Sequence, residues 1–247
     1  MTDSILLLDV GNSRIKWALV QAAEWLAEGV STHDEAARLL DEWERFPRPA
    51  KVVGANVAGD ERAEPISAYW LSRDVPVHWA CAGRKCAGVR NLYERPEQLG
   101  SDRWAALVGA RARTGDACLV VSAGTAVTID AINGAGEFMG GLILPGRRLM
   151  QESLASGTHA LEDFAGHVVD FPRNTADAAS SGIASALACS VQSAWQRLAA
   201  NAARPPSCIL TGGDAEWLAG QLQIGAIIAP RLVLEGLLIM SREDARK

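Results

Sequence analysis

Short apolar runs and helical apolar stripes alternate along this chain. Ile5 to Leu8 is a continuous apolar run, the pattern of a strand buried on both faces. Asp9, Gly11, Asn12 and Ser13 then form a turn, and Ile15 to Val20 (IKWALV) resumes as a second strand. From Asp34 to Trp43, apolar residues at helical spacing (Ala37, Leu40, Trp43) follow a polar cap cluster at Ser31 to Asp34, and Pro47 and Pro49 end that helix. Lys51 to Val57 reads as a buried strand, Glu61 to Leu71 as a helix and Val75 to Ala80 as a strand, so the chain is of the α/β class. Cys81 to Gln98 is irregular, polar and glycine-dotted, and it carries GVRNLY at Gly88 to Tyr93. A loop of this length inside a compact domain is often a functional one. Gly100-Ser101-Asp102-Arg103 opens a helix whose inner face carries Trp104, Leu107, Val108 and Ala112.

Gly115 and Asp116 mark the expected boundary between a first domain, 1–115, and a second, 116–247. Cys118 to Val121 leads into SAGTAVTID, Ser122 to Asp130, which repeats the opening design of apolar strand, glycine turn and second strand. Glu137 to Gly146 makes a further strand ending in Pro-Gly, and Arg148 to Ala155 a helix. Asn174-Thr175 caps a long helix from Ala176 to Asn201, rich in Ala and Ser, whose small residues suit close packing at a dimer interface. Cys208 to Leu210 enters Thr211-Gly212-Gly213-Asp214. There, either Asp214 caps a helix to Gln221 or the two glycines let a base or ribose approach the backbone. Ile224 to Ala229 is a last strand and Arg231 to Met240 a closing helix.

Composition narrows the classes. Of 247 residues, 49% are apolar and 21% charged, which is typical of globular proteins. A net charge of −5 argues against a general nucleic-acid binder. No apolar run approaches the ~20 residues that span a bilayer, and the opening segment lacks the basic region of a signal peptide. The expectation is therefore no nucleic acid, no membrane, and a cytoplasmic location with reduced thiols. The five cysteines are odd in number and scattered, and Cys81 and Cys86 lack the second pair that a zinc site requires. His159 and His167 read as solvated loop residues, and the eight tryptophans as core or interface.

The candidate chemistry lies at the glycine turns. A hairpin tip exposes backbone N–H groups that can cradle a phosphate, with Asn12 and Ser13 adding donors and Lys16 positive charge. Asp9 is suited to Mg²⁺, directly or through water. An ordinary hairpin with a polar turn is the alternative. Ser101 and Asp102 can likewise do no more than cap their helix. Two similar domains, each offering a glycine hairpin to a shared cleft, would clamp a polyphosphate.

Taken in order, these motifs resemble the type III pantothenate kinases, also known through the Bvg accessory factor, of the acetate and sugar kinase/Hsp70/actin superfamily. DVGNSRIK (Asp9, Val10, Gly11, Asn12, Ser13, Arg14, Ile15, Lys16) matches the first phosphate motif and SAGTAVTID the second. GSDRW matches the glycine-x-Asp-Arg motif, and GGLILPG and TGGDA match the later glycine turns. The resemblance implies two actin-like (ribonuclease H-like) domains with mixed sheets flanked by helices and a nucleotide cleft between them. It implies ATP-dependent phosphorylation of the 4′-hydroxyl of pantothenate, the first step towards coenzyme A, by a homodimer. It makes Asp102 the general base, Thr125 a contact to ATP phosphates, and Tyr93, Gly100, Ser101, Arg103 and Thr175 the pantothenate site. Ser122 stands where the family commonly has an Asp that binds a monovalent cation, K⁺ or NH₄⁺, so cation binding here is expected to be weakened, relocated or shared. A related small-molecule kinase, or a regulatory accessory protein that keeps the ATP fold, is the rival reading.

Overall fold

The structure is a computed structural model that describes residues 4–157 and 165–244, with the side chains of Ala37 and Asp244 outside the description. The chain divides into two compact units, 1–112 with 231–247, and 113–230.

In the first unit, β1 (Ser4–Val10) forms an antiparallel hairpin with β2 (Arg14–Gln21), which sets Asp9 opposite Lys16 and Val10 opposite Ile15. β3 (Glu24–Thr32) adds at the edge beside β2. A 3-10 turn and α1 (Ala36–Trp43) lead to β4 (Lys51–Asn56), which lies parallel to β1 on its other side. α2 (Asp60–Leu71) and β5 (Val77–Trp79) complete a sheet of order β3-β2-β1-β4-β5. Leu6, Leu7 and Leu8 are all buried because β1 is central and covered on both faces. β3 has no counterpart among the sequence expectations. Its residues alternate between exposed and half-buried, and Glu, Ala and Gly are weak strand formers. A side chain at Gly29 on this strand would press on the indole of Trp17, which packs with Trp43 and Phe46 beneath the sheet. The irregular 81–98 segment contains a small hairpin of β6 (Lys85–Cys86) and β7 (Val89–Asn91). Its turn residues Ala87 and Gly88 have φ of 44° and 80°, the left-handed pair that such short turns use. α3 (Ser101–Thr114) follows.

The second unit repeats the plan. β8 (Cys118–Ala123), β9 (Ala126–Ile132) and β10 (Glu137–Pro145) form an antiparallel meander. After α4 (Arg147–Gly157) and α5 (Thr175–Ala199), β11 (Ser207–Thr211) pairs parallel to β8. α6 (Ala215–Ala219) then leads to β12 (Ile227–Ile228), parallel to β11. Reading outward from the meander edge, β10-β9-β8-β11-β12 is the same order as β3-β2-β1-β4-β5. Leu119, Val121 and Ile129 of this sheet pack with Leu187, Val191 and Leu198 of α5. Asn174 caps α5, its side-chain oxygen accepting from the Asp177 N–H at 2.9 Å.

The closing helix α7 (Leu232–Asp244) belongs to the first unit, whereas the sequence boundary placed 231–247 with the second. Two glycines account for this. Gly236 lies against the Ala105 carbonyl and Gly109 against that of Leu232, so α3 and α7 cross with backbones nearly touching. The Lys51 ammonium also donates to the Ser241 carbonyl at 3.1 Å.

Candidate functional site

The turn at residues 11–14 is closed by the Gly11 N–H, which donates to the Arg14 carbonyl at 3.0 Å and leaves Asn12, Ser13 and Arg14 exposed. The Val10 and Ile15 side chains belong to the core, so within DVGNSRIK these two can meet a ligand through backbone atoms alone. Burial pushes the Asp9 carboxyl up to about 6, Lys16 acts against that rise, and the Asp102 carboxylate adds to it. A carboxylate held at the end of β1 suits a divalent cation, which takes one or two protein carboxylates and completes its shell with phosphate and water. The sequence reading did not single out His33, whose Nε2 hydrogen-bonds the Gly11 carbonyl at 2.8 Å. His33 follows Thr32, which pairs with Arg14 at the loop, so its place is set by β3, a strand with no signature in the sequence.

The α3 start gathers four of the expected acceptor residues and meets a fifth. Ser101 is buried, and its hydroxyl accepts from the Asn56 N–H (3.1 Å) and donates to the Asn56 carbonyl (3.2 Å). Its side chain thus ties α3 to the end of β4. The Asp102 Oδ1 accepts from the Arg103 N–H at 2.7 Å, meeting one of the orphan donors of the first helical turn. Burial raises the Asp102 carboxyl above its usual range, opposed by that N–H and by the Arg103 guanidinium. A Cβ at Gly100 would stand 2.7 Å from Asp102 Oδ1, so the carboxylate uses the space that a side chain there would take. Arg103 is itself buried, and its guanidinium donates to the Tyr93 hydroxyl at 3.3 Å.

In the second unit, Thr125 sits at the β8–β9 turn, where the Gly146 N–H donates to its carbonyl at 2.9 Å. Any side chain at Gly146 would collide with the carbonyls of Gly124 and Thr125, and one at Gly212 (φ 102°) with that of Ala123. Asp214 occupies the position before α6 but makes no side-chain cap bond, contrary to the capping expectation. Its carboxylate instead lies 3.9 Å from Arg147, whose guanidinium stacks 4.7 Å over the Trp217 ring. Ser122 pairs across the sheet with Thr211 and Thr128, and the Thr128 and Thr211 hydroxyls are buried without a hydrogen-bond partner. That rung is neutral. Thr175 is exposed at the first turn of α5. His167 is exposed, with its backbone N–H donating to Asp177 at 2.7 Å, and His159 lies outside the described residues. None of the five cysteines is in a disulfide, and among the described residues no group of three or more His, Cys, Asp or Glu could hold a metal ion. No described helix is long and apolar enough to cross a membrane.

The family model described as type III pantothenate kinase matches residues 5–197. The type III pantothenate kinase of Azoarcus sp. is 47% identical over 243 residues, covering 98% of this chain and 92% of that protein. In structure, the chain resembles a conserved Baf family protein of Campylobacter jejuni described as a transcriptional activator (TM-score 0.67, 23% identity, 98% of this chain and all of that one). It also resembles MreB5 of Spiroplasma citri bound to AMPPNP (TM-score 0.53, 12% identity, all of this chain and 98% of that one). At these identities the two structures bear on the fold alone, which is that of the actin-like ATPases.

Proposed function

Because this chain belongs to the type III pantothenate kinases, we propose that it transfers the γ-phosphoryl group of ATP to the 4′-hydroxyl of pantothenate, the first step of coenzyme A biosynthesis, with Asp102 as the general base. The observation that carries this reading is the Asp102 carboxylate, fixed at the head of α3 beside Arg103 and Tyr93 and raised above its ordinary range by burial. A carboxylate with a raised pKa is a better proton acceptor than an ordinary one. In the proposed step, the hydroxyl proton passes to Asp102 as the new O–P bond forms. The bond from the γ-phosphorus to the bridging oxygen breaks, and ADP leaves. Arg103 complements the pantothenate carboxylate, with Tyr93, Gly100 and the Ser101 backbone lining the same end, and Thr175 is assigned to substrate on resemblance. Lys16 and the N–H groups of Asn12 and Ser13 are assigned to the phosphates, with Thr125 as a further phosphate contact. Asp9 would hold Mg²⁺, which when bound supplies neutralisation of phosphate charge.

The Ser122 rung fits a monovalent cation less well than a carboxylate would, because hydroxyls bring no compensating charge. No step is assigned to K⁺ or NH₄⁺. Homodimerisation is part of the same reading. An apolar groove of ≈ 630 Å³ between α4 and α5, lined by Leu149, Met150, Leu154, Ala179, Ile183 and Ala186, is a surface suited to a second copy of the chain. Ile143 on β10 and Phe171 are exposed apolar residues of the same unit. A cytoplasmic location accords with the use of ATP and with five cysteines outside any disulfide.

The test is an ADP-release assay with ATP and Mg²⁺, with and without pantothenate, on the wild type and on Asp102→Asn. Pantothenate-dependent turnover that falls by about 10²-fold or more in the variant, with nucleotide binding retained, is the expected result. Wild-type turnover indifferent to pantothenate would overturn the substrate assignment. Repeating the assay in potassium and in choline salts should give rates within about twofold of each other if the neutral rung contributes no cation site, by the same charge argument. A steep potassium requirement would refute that.

A further inference from the structure

Tyr93 owes its place to a buried amide that the reaction itself does not use. Asn91, the last residue of β7, is 1% exposed. Its Oδ1 accepts from the Tyr93 N–H at 3.0 Å, and its Nδ2 donates to the Pro96 carbonyl at 3.3 Å. The same Pro96 carbonyl accepts from the Leu99 N–H at 3.2 Å, one residue before Gly100. Asn91 therefore grips the loop on both sides of Tyr93, and the far side runs directly into the start of α3. The backbone of Asn91 is anchored in turn, its N–H donating to the Arg84 carbonyl at 2.9 Å across the small hairpin. At the other end of the loop, the Tyr93 hydroxyl meets the buried Arg103 guanidinium.

Few side chains can do this. A buried polar group persists where its bonds are met, and an Asn folding onto the N–H two residues ahead makes the turn that Ser forms more weakly and Ala cannot form. Asp would keep the acceptor but lose the donor to Pro96.

We propose that Asn91 is a positioning residue for the acceptor subsite. By folding 91–96 it fixes the Tyr93 hydroxyl against Arg103, and so sets the affinity for the anionic acceptor without touching it. The inference rests on the kinase reading above.

The test is steady-state kinetics on Asn91→Ala, Asn91→Ser, Tyr93→Phe and the Asn91→Ala/Tyr93→Phe double variant, each with a thermal melt. We expect Asn91→Ala to raise KM for pantothenate about tenfold or more while KM for ATP stays within about twofold, and Asn91→Ser to fall between it and the wild type, as its weaker turn predicts. Tyr93→Phe should add little in the Asn91→Ala background, because the hydroxyl is already misplaced. A merely structural role predicts a lowered melting temperature, a loss of kcat with KM for pantothenate unmoved, and additive effects in the double variant. That pattern would overturn the proposal. If Asn91→Ala does not fold, Asn91→Ser decides the question, since an unchanged KM for pantothenate in that variant has the same force. Failure of the kinase reading itself would show separately, in a wild type indifferent to pantothenate.

Discussion

Asp9 has a folded-state pKa of about 6 against an ordinary 3.8, chiefly because it is buried. The folded protein therefore binds this proton more tightly than the unfolded chain does, and ionising Asp9 works against folding. That penalty is complete above about pH 6 and absent below about pH 4, so this residue makes stability fall as pH rises between the two. Asp9→Asn should raise the melting temperature of the ligand-free protein at neutral pH, with the advantage shrinking as the pH falls below about 6. Thermal melts of both proteins across that range measure the difference; parallel curves would show that Asp9 carries no such penalty. The same variant should weaken Mg²⁺-ATP binding, and wild-type binding should itself weaken below about pH 6, where the carboxylate gains its proton.

Among the elements, the decisive contact is the crossing of α3 and α7. It brings a helix from the end of the chain onto the helix that begins with Ser101, Asp102 and Arg103. The approach depends on Gly236, where a methyl group would run into the Ala105 carbonyl, a backbone atom that cannot turn aside. Gly236→Ala should cost about 1–3 kcal/mol of stability in urea denaturation, the usual range for overpacking. It should also lower kcat, since a shift of α3 to relieve the clash at Ala105 would carry Ser101, Asp102 and Arg103 with it. An unchanged denaturation midpoint would mean that the two helices are not in close contact in solution.

For the whole molecule, the open question is how the apolar surface of the second unit is covered. Ile143 is 66% exposed on β10, and the α4–α5 groove lies in the same unit. Sedimentation should give a dimer for the wild type, and Ile143→Asp should shift it towards monomer by placing a charge where a partner would exclude water. A wild type that sediments as a monomer at micromolar concentration would remove the dimer from the proposed function. The duplicated sheet order belongs to this scale as well. Its first hairpin in each unit is legible as two matching strings, ILLLDVGNSRIKWALV and CLVVSAGTAVTIDAI, because a buried strand followed by a glycine turn leaves a sharp signature, whereas the order of the remaining strands is not.

What the sequence determined by itself was local. Apolar runs marked β1, β4, β8 and β11, since central strands bury both faces. Asn174 marked the start of α5, since a cap is a contact within a few residues. Ordered glycine motifs marked the family. Tertiary structure decided whatever depends on partners distant in the chain. β3 was hidden because an edge strand with no buried residue leaves no hydrophobic pattern. α7 was placed with the wrong half because its helical stripe does not say which sheet it will cover. The Ser101 hydroxyl bonds Asn56, 45 residues away, where the local pattern offers only a helix cap. His33 against the Gly11 carbonyl and Asn91 against the Tyr93 N–H are hidden for the same reason. A hydrogen bond to a backbone group needs the fold to bring that group near, and no residue pattern records it.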